Sequence, residues 1–260
     1  MQQYISDIWK LRYFWFSLVQ IDLRNRYRRS VLGLGWSLLQ PIAFSVVICA
    51  VFHTVFHQDI RDFGPFLICG LSCWNFIAAV TLQGSLSFFQ GEHYIRQLPT
   101  PMAIYPLRTV LAAAVHFLLA LGIAIVAAFL LRGLPNPWAL FSLLPSVFLL
   151  LLLGWAIATL AGLMSLQFMD TQHLAEVGLQ LVFYASPIIY PPDLARGRAL
   201  QWVFSYNPVA IFLSLIREPI MDGTVPSMAT YGSAVLIVAT MTALAMAALA
   251  RMEKKVVFYL

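Results

Sequence analysis

Charge is what this sequence has least of. Asp, Glu, Lys and Arg make up 10% of its 260 residues, against about a quarter in ordinary soluble domains. Hydrophobic residues reach 61% and the mean hydropathy is +0.81, so no sizeable soluble domain fits. Lysine is scarcer still: Lys10, Lys254 and Lys255 are the whole set, and none follows a glycine. A phosphate-binding P-loop is therefore impossible and ATP hydrolysis by this chain is excluded. The three cysteines, Cys49, Cys69 and Cys73, lie in apolar runs without CxxC spacing, which indicates small core residues rather than a disulfide framework or a zinc site. Within the apolar runs the ionisable residues are His53, His116 and, near one end, Arg108, too few for a proton relay. No cleavable leader is expected, because the apolar patch from Tyr13 to Ile21 is short and runs straight into arginines. The net charge of +5 is explained by basic residues retained on one side of a membrane, and no nucleic-acid partner is expected.

What the sequence does have is apolar runs of membrane length. A hydrocarbon core about 30 Å thick takes roughly 20 apolar residues per helix. Such runs cover 31–56, 63–82, 105–131, 138–167 and 231–250, with a shorter one over 177–190. The pattern predicts an all-α polytopic membrane protein with six transmembrane helices. Orientation follows from the stretch Asp22 to Pro41, where Arg24, Arg26, Arg28 and Arg29 surround Tyr27 and apolar sequence begins at Val31. Arginine enters hydrocarbon only at high free energy, so this cluster is assigned to the cytoplasm. Alternation then places Lys10, Arg12, the four arginines, Arg96, Arg108, Arg251, Lys254 and Lys255 inside, and Arg61, Arg132, Arg196, Arg198 and Arg217 outside. That excess agrees with two cytoplasmic termini.

Ahead of the arginines, Ile5, Ile8, Trp9, Leu11, Trp15, Leu18 and Val19 recur at helical spacing between polar residues. This predicts an amphipathic helix in the membrane interface over residues 1–29. The segment QGEHYIRQLPTP, 90–101, is polar and closed by prolines, which predicts a short cytoplasmic helix outside the bilayer. Pro145 is expected to kink the fourth span. Residues 187–226 alternate Pro187, Pro191, Pro192, Pro208, Pro219 and Pro226 with apolar patches. They are read as external re-entrant helices between spans five and six, since irregular backbone survives at membrane depth only where protein or a water cavity surrounds it. Small residues at four-residue spacing, Gly154/Ala158/Gly162, Ala120/Ala124/Ala128 and Ala239/Ala243/Ala247, mark faces where helix backbones can approach closely.

Few residues suggest chemistry. His53 and His57 stand four apart near Asp59 and Asp62, but HTVFH lacks the glutamate of a catalytic zinc helix and no metal is expected. Asp170, His173 and Glu176 recur at three-residue spacing and suit docking or charge balance better than catalysis. Trp36, Trp74, Phe88, Phe89, Trp155 and Tyr184 fit either a conduit that stacks on sugar faces or an ordinary core and interface belt. For the arginines two roles stay open: holding phosphate oxygens with planar guanidinium forks, or topology and anionic-lipid anchoring at about 1 kcal/mol each.

Taken in order, the interfacial helix, RYRRSVLGLGWSLLQP, QGEHYIRQLPTP, MDTQHLAEVGLQLVFYASPIIYPP, NPVAIFLSLIRE and the basic C-terminus resemble the membrane subunit of ABC-2 type exporters of O-antigen, capsule and teichoic-acid polysaccharides. The resemblance covers essentially the whole chain. It departs at Met169, where many relatives carry arginine before the aspartate. It implies a homodimer in the bacterial cytoplasmic membrane with two copies of a separate ATPase that supplies ATP and magnesium, and no cofactor on this chain. It also implies a coupling helix at 90–101 with Glu92, His93, Tyr94 and Arg96 as contacts. Residues 4–29 would form a gate helix whose Arg24, Arg26, Arg28 and Arg29, with Tyr27, face a lipid diphosphate, and 187–222 an external hairpin. The cargo expected is an undecaprenyl-linked polysaccharide. Two other readings are an exporter of drugs or free lipids, and a membrane enzyme acting on lipid-linked sugars.

Overall fold

The computed structural model describes residues 2–28, 30–33, 35–133, 136–190, 207–253 and 255–260. Among these there is no strand. The order is α1 (Gln2–Lys10), α2 (Arg12–Tyr27), α3 (Gly35–Phe56), α4 (Ile60–Ser85), α5 (Ser87–Gln97), α6 (Ile104–Arg132), α7 (Pro137–Phe141), α8 (Leu143–Gln167) and α9 (Thr171–Ala185). Then come α10 (Pro208–Arg217), a π turn over Glu218–Asp222, α11 (Met228–Met252) and α12 (Val256–Tyr259).

Among the described residues, four stretches are long and apolar enough to cross a membrane: Ile60–Ser85, Ile104–Arg132, Pro137–Gln167 and Met228–Met252. In α3 the apolar part is Pro41–Val55. The first span thus begins at Gly35 rather than residue 31, because Gly33 takes a left-handed φ of 50° and the chain turns there before the helix starts. The fifth apolar run differs most. Its helix, α9, starts at Thr171, ahead of the expected residue 177, and ends at Ala185 after 15 residues. That is about 22 Å at 1.5 Å per residue, short of a span of about 30 Å.

Local chemistry sets most boundaries. Asp59 accepts the Arg61 amide at the start of α4, and the Asn136–Pro137 and Asn207–Pro208 pairs open α7 and α10 with an asparagine cap and proline in the first turn. Gly133, at φ 96°, ends α6. The fourth span is interrupted early, at Ser142, three residues ahead of Pro145, which lies in the first turn of α8, where its missing N–H leaves no bond unmade. The interfacial segment is two helices, broken at Leu11, and the cytoplasmic helix expected at 90–101 runs from Ser87 to Gln97, with Leu98 to Pro101 non-helical ahead of α6.

α4 is the central helix, packed by α3, α6, α8, α9 and α10. Its contact with α8 is backbone-close. A Cβ on Gly84 would lie 2.5 Å from the Ala158 Cα, and one on Gly162 would lie 2.9 Å from the Gly84 carbonyl. The small-residue stripe of the fourth span is therefore a packing seam, and Ala120, Ala124 and Ala128 are buried as well. The α11 stripe is not: Ala239, Ala243 and Ala247 are exposed within this chain, and Ala234, Val238, Ala245 and Leu249 form the buried face.

After α9 the backbone turns irregular, and α10 satisfies it from both ends. Asn207 Nδ2 donates to the Ala185 carbonyl (2.9 Å) and Ser186 Oγ (2.8 Å). The buried Arg217 donates from Nη1 to the Pro187 carbonyl (2.6 Å) and from Nη2 to that of Ile188 (2.8 Å), and lies 3.6 Å over the Phe66 ring. Gly70 on α4 is the floor beneath this guanidinium, with no room for a Cβ. Residues 191–206, including Arg196, Arg198 and much of the expected hairpin, lie outside the described residues.

Candidate functional site

Three polar elements gather at one pole of the bundle. Tyr4 donates to Glu253 Oε1 (2.8 Å) and accepts the Ala103 amide (3.3 Å), while Glu253 also accepts the Met102 amide (3.2 Å). Burial first, then the Glu253 carboxylate, pushes the Tyr4 phenol above its usual range. The two ends of the chain are thereby tied to the start of α6, above a core that includes Phe88, Ile95, Tyr105, Leu166 and Val256.

α5 lies against this knot and divides its residues. Ile95 and Phe88 are buried, Phe89 is half-buried against the same core, and Glu92 and Arg96 pair at 2.8 Å on the outside. His93 is exposed beside Gln97. Tyr94 turns back and meets Phe14 of α2 edge-on, with centroids 5.6 Å apart. Of the residues expected to couple to an ATPase, Glu92, His93 and Arg96 present polar atoms outward and Tyr94 joins α5 to α2.

The arginines separate in the same way. Arg24, Arg26 and Arg28 are all exposed, and Arg29 lies outside the described residues. Arg26 lines a cavity of about 530 Å³ with Asp22, Asn25, Gln83, Gln90, Arg108 and His116. Tyr27 Oη is 3.0 Å from His116 Nδ1. Arg108, set aside from its position at a span end, is 7% exposed and grips Asp22 with both arms of its fork, Nε to Oδ2 at 2.6 Å and Nη2 to Oδ1 at 2.9 Å. α2 is thus fastened to α6 by an ion pair and a tyrosine–histidine contact.

This cavity continues into the bundle. Arg26, Gln83 and His116 also line a second space of about 290 Å³. That space in turn shares Pro41, Asn75, Ala78 and Leu82 with a third of about 360 Å³, walled by Trp74, Phe183, Tyr184 and Glu176. Asn75 and Gln83, eight apart on α4, put amides along one side of the lane. Trp74 is buried and tilts against Phe183 at 5.4 Å, whereas Tyr184 is 64% exposed. Phe88 is fully enclosed against Tyr105 and Gly162 and touches none of the three spaces. Trp36 borders a separate apolar groove of about 480 Å³ along α3 with Leu39, Phe44 and Val47.

The remaining expected sites have structural occupations. His53 Nδ1 is 2.9 Å from the Gln58 carbonyl, and among the described residues no three His, Cys, Asp or Glu side chains converge as for a metal. His173 and Glu176 stand 3.6 Å apart on α9, with Glu176 facing the third space. Sequence reasoning missed Asp22, Arg108, Asn75 and Gln83. Lone amides in an apolar run at helical spacing were the signal for the last two.

A lane that begins beneath a basic amphipathic helix and follows polar residues along a membrane-length helix defines a membrane transport protein. The family model of the ABC-2 type transporter matches residues 13–221, and the chain belongs to that family as a multi-pass membrane permease. It is 28% identical over 202 residues to an O-antigen export system permease protein RfbA of Klebsiella pneumoniae, covering 78% of each chain. It is 26% identical over 227 residues to the RfbA of Myxococcus xanthus, covering 87% of each. To the polysialic acid transport protein KpsM of Escherichia coli it is 22% identical over 213 residues.

Proposed function

We propose that this chain is the channel-forming subunit of an exporter that moves a lipid-linked polysaccharide outward across the bacterial inner membrane. The observation that carries this reading is the lane from Arg26 and Arg108 past Gln83 and Asn75 to Trp74 and Tyr184. Its mouth is cationic, as a diphosphate requires. Its interior offers amides and flat rings, which suit sugar hydroxyls and apolar sugar faces. The groove beside Trp36 and Phe44 is apolar and suits a prenyl chain. O-antigen and polysialic acid are what the named relatives transport, and both are long glycans.

Energy comes from a separate cytoplasmic ATPase in two copies, docked on α5 through Glu92, His93 and Arg96, with two copies of this chain forming the conduit. Six crossings with both ends inside would put α2, α5 and α12 on the ATPase side, and the Tyr4–Glu253 contact places both ends at one pole. Replacing Arg26 and Arg28 together by glutamine is expected to leave dimer assembly intact and to reduce export, read as surface polymer in cells expressing normal amounts of protein. Unchanged export from that double variant would reject the gate. Stimulation of the purified complex's ATPase by a drug or free phospholipid, and not by a lipid-linked glycan, would reject the cargo.

A further inference from the structure

Arg108 is a buried cation whose carboxylate partner is not. Its side chain is 8% exposed against 25% for that of Asp22, and both face the same cavity as Arg26, Gln83, Gln90 and His116. A buried guanidinium left without an anion is strongly unfavourable, so Arg108 holds a negative group at all times. Asp22 is the more exposed of the two, and Arg108 opens only onto the cavity. Among the described residues no carboxylate lies within ion-pair distance of Arg26, one helical turn from Asp22 on α2. The cavity thus contains two guanidinium groups and a single acid, beside room of about 530 Å³.

We infer that Asp22 is a built-in stand-in for a phosphate: its two-armed contact with Arg108 latches α2 over the cavity, and a prenyl diphosphate displaces it, taking Arg108 and Arg26 together. The inference rests on the lipid-linked cargo proposed above. A diphosphate brings more charge and more acceptor oxygens than a carboxylate and fits the fork of arginine equally well. Arg108 changes partner without standing bare. The freed Asp22 would release one side-chain contact by which α2 is held to α6, alongside that of Tyr27 with His116. Binding of the anionic headgroup would thereby be tied to movement of the gate helix.

The test is the sign of a substitution. The full-length chain in complex with its ATPase, in nanodiscs of zwitterionic lipid, is titrated with farnesyl diphosphate and, as control, farnesol. A ligand that must displace a latch closed nine-tenths of the time loses about tenfold in apparent affinity. Asp22→Asn is therefore expected to tighten farnesyl diphosphate binding on the order of tenfold and leave farnesol unchanged. Arg108→Gln is expected to abolish the preference for the diphosphate. A merely structural ion pair predicts affinity that is equal or weaker in Asp22→Asn, and that result overturns the latch; lower thermal stability of the ligand-free variant is expected under both readings, because Arg108 then lacks its anion. Asp22→Ser carries the same prediction should the asparagine variant not fold. Asp22→Glu keeps an anion beside Arg108 and serves if neither folds: its altered two-armed contact is expected to tighten diphosphate binding, and equal or weaker binding overturns the latch. Absence of any diphosphate binding by the wild-type complex would instead remove the cargo reading on which the latch stands.

Discussion

Replacing Arg217 by leucine tests whether one side chain holds the irregular backbone after α9. The substitution leaves the carbonyls of Pro187 and Ile188 without the donors now 2.6 and 2.8 Å away. Each unsatisfied buried carbonyl costs about 1–3 kcal/mol, and the ring contact with Phe66 is worth up to about 2 kcal/mol where water is excluded. Relief from burying a charge offsets several kcal/mol of that sum, which leaves a net local loss near 3 kcal/mol, in line with about 3–5 for breaking a buried charged contact. At 1.4 kcal/mol per factor of ten, local opening becomes more than about a hundredfold more frequent. Cys69 and Cys73 flank the Gly70 floor of this site and are 0% exposed, so they report the opening directly. In a Cys49→Ser background, labelling by a thiol-reactive dye is expected to accelerate by that factor, with a smaller fall in the melting temperature of the whole protein. Labelling within about twofold of the parent rate would show that the carbonyls find other donors, and the clamp would be refuted.

Gly84→Ala forces α4 and α8 apart and is expected to destabilise by about 1–3 kcal/mol, whereas Gly178→Ala on α9, with nothing within 4 Å of the new Cβ, is expected to be neutral or slightly stabilising in the same thermal assay. Tyr4→Phe removes a hydroxyl that serves both Glu253 and the Ala103 amide. A loss of about 1–2 kcal/mol and faster amide exchange in residues 2–10 are expected, and unchanged exchange would dismiss the knot. Tyr94→Ala deletes the edge contact with Phe14, worth about 0.5–1.5 kcal/mol. Faster exchange across 12–27 is expected, together with weaker stimulation of the partner ATPase, while the Glu92–Arg96 pair stays in place.

How much could be read beforehand depended on range. Apolar length found the long helices because a membrane imposes it locally, and the Gly154–Ala158–Gly162 seam showed itself because small residues at helical spacing have few other uses. The same spacing at Ala239, Ala243 and Ala247 meets no helix among the described residues of this chain, since alanine fills exposed and packed helix faces alike in lipid. Charge drew attention to Arg24, Arg26, Arg28 and Arg29 as a group, yet only tertiary placement singles out Arg26, whose face of α2 meets a cavity. Asp22 and Arg108 are 86 residues apart, and nothing local announces that pairing. The end of α9 was hidden for a related reason: its apolar run continues through Ile188 and Ile189, while the chain leaves the helix at Ser186, where Asn207 and Arg217 supply donors from a distance.

That arrangement has a consequence for biogenesis. When α9 is synthesised, the carbonyls of Ala185, Pro187 and Ile188 lack the donors of the finished fold, because Asn207 and Arg217 come later in the chain. Lipid offers no donor in their place. α9 and α10 therefore reach their finished arrangement only together, as one unit.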